Sequence, residues 1–125
     1  MAVTESPVVI VAGRDENGVG EELSALGATV SRIEAVVSTT TLEAAGVEET
    51  AYLVLTDVEE ATGIPVAKEL NPAVTVVTYA NASLPSFVAA VADLAVDPAL
   101  VGPRVVAEEI VAGDIGGDRV DANGA

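Results

Sequence analysis

The stretch Val8-Val9-Ile10-Val11-Ala12 is apolar without a break. It runs into Gly13-Arg14-Asp15-Glu16-Asn17-Gly18-Val19-Gly20, and a helix is expected from about Val19 to Leu26. A strand that is apolar at every position is buried on both faces. A glycine-bearing turn leading from such a strand directly into a helix is the start of a βα unit whose turn faces a ligand. The rest of the chain reads as further copies of this unit.

Gly27 ends the first helix as a residue suited to left-handed backbone. Residues 28–33 form strand two, which stops at Glu34. Residues 35–38 are ambiguous, because Val36-Val37 fit a short strand or the tail of strand two. Thr39 or Thr40 is expected to cap a short helix over 41–45, closed by Gly46. Residues 51–56 form a fully apolar strand. A helix is expected over 58–70, with a kink or late start at Pro65, where the amide is missing. Asn71-Pro72 ends it. Residues 74–79 form the next strand, and 81–83 cap a helix reaching about Val91. Residues 94–96 form a last short strand, and a helical stretch to about Ala112 is interrupted near Gly102-Pro103. Strands and helices alternate throughout. The expected architecture is therefore a three-layer, doubly wound α/β fold with a parallel sheet of five strands and a sixth available at 35–38. Residues 1–112 read as one domain, and 113–125, rich in Gly and Asp, as a disordered acidic tail.

The apolar content is largely Ala and Val, with one Phe, two Tyr and no Trp. Small β-branched residues suit buried parallel strands. No apolar run approaches the roughly 20 residues that span a bilayer. No basic region precedes the first apolar run, so no signal peptide and no membrane insertion are expected, and a cytoplasmic location is. The chain has no Cys and no His, so no metal site is expected. Twenty acids face five bases, a net charge of −15. Such a balance resembles haloarchaeal cytosolic proteins, since molar salt with a Debye length of about 3 Å screens the self-repulsion. The chain offers no basic patch for phosphates, so no nucleic-acid partner is expected.

In an open parallel sheet, ligands bind beyond the carboxyl ends of the strands. Gly13, Arg14, Gly18 and Gly20 lie in the first such loop. They suit either a phosphate cradle at a helix N-terminus or a long turn whose glycines only let the chain reverse. Glu34, ending strand two, suits a ribose hydroxyl or is one surface acid among many. Thr56-Asp57 ends the third strong strand, where the Asp suits a ligand, a phospho-acceptor or a helix cap. Tyr79, at the end of the next strand, suits stacking on a base or a half-buried ring with a wet hydroxyl. No nucleophile–base pair is recognisable, so no enzyme is expected.

From Ala45-Gly46-Val47-Glu48-Glu49, through residues 51–56, Leu70-Asn71-Pro72 and 74–77, to Ala92-Asp93-Leu94-Ala95-Val96-Asp97-Pro98 and Leu100-Val101-Gly102, the chain resembles the N-terminal Rossmann domain of RCK (KTN, TrkA-N-type) proteins. These are cytosolic regulators of potassium channels and uptake systems. The resemblance implies a dimerising, non-catalytic module that senses NAD(H) or ATP beside a membrane potassium transport subunit. The glycine loop is longer here than that family's, and its second helix and third strand are nearly absent. A Rossmann sheet that loses strand three is ordered 2-1-3-4-5 after renumbering. That is also the order of receiver domains of two-component signalling, which the chain resembles as an alternative. That resemblance implies Asp57 as phospho-acceptor, Asp15 and Glu16 as magnesium acids and Thr78 as the switch hydroxyl, with Asp97 standing where the family has lysine. A third reading is a ligand-free dimerisation domain using Val105, Val106 and Ile110.

Overall fold

The computed structural model describes residues 7–34, 36–57, 63–80 and 92–113. Strands β1 (Val8–Ala12), β2 (Thr29–Ile33), β3 (Tyr52–Leu55), β4 (Thr75–Tyr79) and β5 (Leu94–Val96) form one five-stranded sheet in the order β2-β1-β3-β4-β5. Every pairing is parallel, with Val11 opposite Arg32 and Val54, and Val54 opposite Val77. This is a flavodoxin-like α/β sheet, as expected from the sequence.

Alternation along the strands sorts the core. On one face Ile10, Ala12, Leu53, Leu55 and Val76 pack with Leu42 of α2 (Thr39–Ala44), with Val47 from a short 3-10 turn, and with Ile64 and Ala67 of α3 (Gly63–Leu70). On the other, Val9, Val11, Val54, Val77 and Tyr79 pack with Val19 and Leu23 of α1 (Val19–Ala25). Val106, Ala107 and Ile110 of α4 (Pro103–Ala112) close that layer. Because β1 and β3 lie inside the sheet, their side chains on both faces are buried from Val9 to Ala12 and from Tyr52 to Leu55, which is why they read as unbroken apolar runs. Fully burying each such Val, Leu or Ile stabilises the fold by about 1.5–3 kcal/mol.

Three local expectations change. Residues 36–38 are not a strand: Val36 is 68% exposed, Val37 is buried in the core, and Ser38 caps a helix. The cap of α2 is Ser38 rather than Thr39 or Thr40. The Ser38 Oγ accepts from the Thr41 amide while Thr41 Oγ1 accepts from the Ser38 amide, a reciprocal pair that a threonine inside the helix cannot make. Val106 and Ile110 are spent on the chain's own core, which leaves only Val105 of the proposed dimer residues exposed. The helix expected over 81–91, residues 58–62 of the helix expected over 58–70, and the 114–125 tail lie outside the described residues. Gly102 precedes α4 in extended conformation and Pro103 takes its first turn, where a missing amide costs nothing. Among the described residues no helix is long and apolar enough to cross a membrane.

Candidate functional site

The carboxyl ends of β1, β3 and β4 converge on a pocket of about 280 Å³ lined by Arg14, Glu16, Asn17, Thr56, Asp57, Tyr79 and Ala80. Five of the residues singled out from the sequence, Arg14, Glu16, Thr56, Asp57 and Tyr79, therefore share one wall. Gly13 lies beneath them. Its φ of 105° disfavours any side chain, and a Cβ there would stand 2.4 Å from Thr56 Oγ1 and 3.1 Å from Asp57 Cβ. The close approach of β1 to β3 at this point thus depends on glycine.

Thr56 ties the two turns together. Its hydroxyl donates to the Ala12 carbonyl at 2.9 Å and accepts from the Asp15 amide at 3.0 Å. Asp15 is the one non-glycine residue among those described with positive φ, at 57°. In that conformation its side chain folds back over the start of α1. Oδ1 accepts from the Val19 amide at 2.8 Å, and Oδ2 accepts from the Gly20 amide at 2.9 Å and from Arg32 Nη1 at 3.0 Å. The first-turn donors that a phosphate cradle would offer at Val19 and Gly20 are held by the chain's own carboxylate. Gly20 serves a different end: a Cβ there would stand 2.5 Å from Arg32 Nη2, so glycine makes room for the guanidinium. Gly18, at φ 79°, is the left-handed residue that turns the chain into α1. Neither glycine lines the pocket.

Glu34 lies elsewhere, beside Arg32, Thr41 and Ala45 around a separate hollow of about 220 Å³. Thr78 is buried within β4, opposite Leu55. Asp97 is exposed and closes a turn, accepting from the Ala99 amide at 2.9 Å. Neither is among the described residues that line the Asp57 pocket.

Tyr79 is buried, with no wet hydroxyl. Its OH donates to the Val101 carbonyl at 2.7 Å, linking the pocket wall to the turn ahead of α4. Burial first, and then the negative charge of Asp15, hold its ionisation above the ordinary tyrosine value. Arg14 reaches Glu16 at 3.4 Å, with both side chains largely in water, so the pair adds little to stability.

Arg32 and Asn17 escaped the sequence reading. Arg32 is a cation inside a strand of a chain poor in cations, which is a signal in itself. Its partner Asp15 is 17 residues away, however, and the two meet only through the β1–β2 register.

A parallel sheet in this order with a polar pocket at its carboxyl edge defines a flavodoxin-like α/β domain. Residues 9–110 match the family of unknown function DUF7126, and the chain belongs to that family. No protein of curated function matches it by sequence. Among solved structures it is similar to an orphan response regulator of H. pylori, with a TM-score of 0.67 and 13% identity, covering 86% of this chain and 95% of that one. It is also similar to a CheY-like response regulator receiver domain protein from Methanospirillum hungatei, with a TM-score of 0.62 and 18% identity over 85% and 91% of the two chains. A third is a pilus assembly-related protein of Burkholderia pseudomallei, with a TM-score of 0.62 and 14% identity over 88% and 92%. At these identities the likeness is one of fold.

These findings correct the resemblance to RCK proteins. The similar structures include response regulators and a pilus assembly-related protein, and the family match is to DUF7126 rather than to a potassium-transport regulator. Potassium-transport regulation and nucleotide binding, which that resemblance implied, lose their support. The short matching runs from Ala45 to Gly102 reflect βα spacing that receiver-type and Rossmann sheets share. Both bury their central strands and turn at the same carboxyl edge.

Proposed function

We propose that the chain is a receiver-like signalling domain whose regulated group is Asp57. The observation that carries this reading is the position of Asp57: it follows the middle strand of a 2-1-3-4-5 sheet and lines the pocket between the β1 and β4 turns. Similarity in fold to response regulators supports the same reading. A carboxylate there is suited to accept a phosphoryl group from an acyl phosphate. The domain then acts as the target of a transfer rather than as a turnover enzyme, and its output is a change of surface offered to another protein. Tyr79 supplies a route for that change, because its hydroxyl bond to Val101 connects the pocket to the turn before α4. We place the domain in the cytoplasm, where acyl phosphates are found and where its acidic surface suits a salt-rich interior.

The test is labelling with radioactive acetyl phosphate in molar KCl. The wild-type chain should take an acid-stable, alkali-labile label at Asp57, and Asp57→Asn should not. Equal labelling of the two, or no labelling of either, would remove Asp57 from this role.

A further inference from the structure

The receiver resemblance assigns Asp15 and Glu16 to a magnesium ion beside Asp57. The geometry of this chain does not fit that ion. Asp15 carries its side chain over α1, away from the pocket wall, and that side chain is 3% exposed. Both carboxylate oxygens are engaged: Oδ1 by the Val19 amide, Oδ2 by the Gly20 amide and by Arg32 Nη1. A divalent cation entering here would have to displace two amide donors and sit against a guanidinium that repels it. The arrangement is built into the backbone on both sides, through the left-handed φ of Asp15 and through Gly20, whose missing Cβ gives Arg32 its place. Among the described residues the acids on the pocket wall are Glu16 and Asp57, and Glu16 is shared with Arg14. Magnesium requires near-octahedral oxygen coordination and is held through one or two carboxylates with waters and phosphate oxygens, so the loss of Asp15 as a ligand and the pairing of Glu16 with Arg14 are what weaken the site. Among the described residues no three acidic side chains gather to hold a metal ion. Arg14 is the basic side chain that the described residues contribute to the wall.

We infer that the Asp57 pocket works without a divalent cation, and that Arg14 answers the charge of an incoming phosphoryl group in its place. This inference rests on the receiver-like reading of Asp57. In the step, an Asp57 carboxylate oxygen forms a bond to the phosphorus of an acyl phosphate. The bond from phosphorus to the acyl oxygen breaks, and the carboxylate leaves with the electron pair. No proton moves and nothing is oxidised. A planar guanidinium can hold two phosphoryl oxygens at once, which a point cation on one acid cannot do as selectively.

Two measurements test this in molar KCl, which suppresses diffuse binding to the acidic surface. The first is titration of wild-type and Asp57→Asn chains with Mn²⁺, with free ion read by electron paramagnetic resonance. The two curves should superimpose; a saturable Mn²⁺ site that disappears in Asp57→Asn would overturn the inference. The second is acetyl phosphate labelling with Mg²⁺ or with EDTA. Labelling should agree within about twofold between the two conditions, fall by about tenfold in Arg14→Gln, and recover in part in Arg14→Lys. Labelling that collapses in EDTA, or that is indifferent to Arg14→Gln, would also count against it. Superimposed Mn²⁺ curves with no label in any condition would sink the signalling role of Asp57 while leaving the pocket metal-free.

Discussion

The turns at residues 13–18 and 56–57 occupy equivalent places, each at the carboxyl end of a central strand, and each carries an aspartate. Their fates differ. Asp15 is turned by its left-handed backbone into α1, where two amides and Arg32 take its oxygens. Asp57 stays on the pocket wall. Thr56 joins the two by holding the Ala12 carbonyl and the Asp15 amide with one hydroxyl. The difference teaches that an acid at the ligand edge of a parallel sheet serves the fold or the pocket according to the conformation of its turn, not according to its residue type. One turn is a clasp, and the other is the site that the clasp supports.

Substitutions can break this comparison. The largest effect is expected from Gly13→Ala, which forces a side chain into φ 105° and against Thr56 Oγ1. It should cost about 3 kcal/mol in urea unfolding and should distort both turns together. A loss below about 1 kcal/mol would mean that the turns are not in fixed contact.

Asp15→Ala comes next, at about 2 kcal/mol, since it orphans two helix donors and frees Arg32. That loss should persist from low to molar KCl, because the carboxylate is buried and little screened. A loss that vanishes with salt would recast Asp15 as an ordinary surface acid.

Tyr79→Phe removes the bond to Val101 and should cost about 1 kcal/mol at neutral pH. It also sharpens the electrostatics. The ionisation of Tyr79 is raised in the folded chain by burial and by Asp15, so the folded state holds this proton more tightly than the unfolded state does. Its contribution is complete below the ordinary tyrosine value of about 10 and is lost as pH rises through the higher folded value. Alkaline melts of the wild type should therefore fall more steeply above that pH than those of Tyr79→Phe. Parallel curves would contradict the assignment.

The smallest effect is expected from Asp57→Asn, within about 0.5 kcal/mol by thermal melt because asparagine keeps the shape and an acceptor oxygen of the side chain, while labelling is abolished. A large destabilisation there would make Asp57 a second clasp and erase the contrast between the turns.

The alternation of apolar strands and capped helices was legible in the chain, and so was the all-apolar character of β1 and β3 that demands burial on both faces. These follow from local periodicity and from backbone hydrogen bonding, which every residue carries with it. The pocket was legible in part. Arg14, Thr56, Asp57 and Tyr79 stand at strand ends, and strand ends of a parallel sheet meet at one edge. Glu34 and Gly20 stand at similar places and fall outside the pocket. The family behind the pattern was not legible, because βα spacing is common to receiver-type and Rossmann sheets. The partnership of Asp15 with Arg32 was decided only in three dimensions. It depends on the register that brings β2 beside β1 and on a single positive φ, and neither leaves a periodic trace in the sequence.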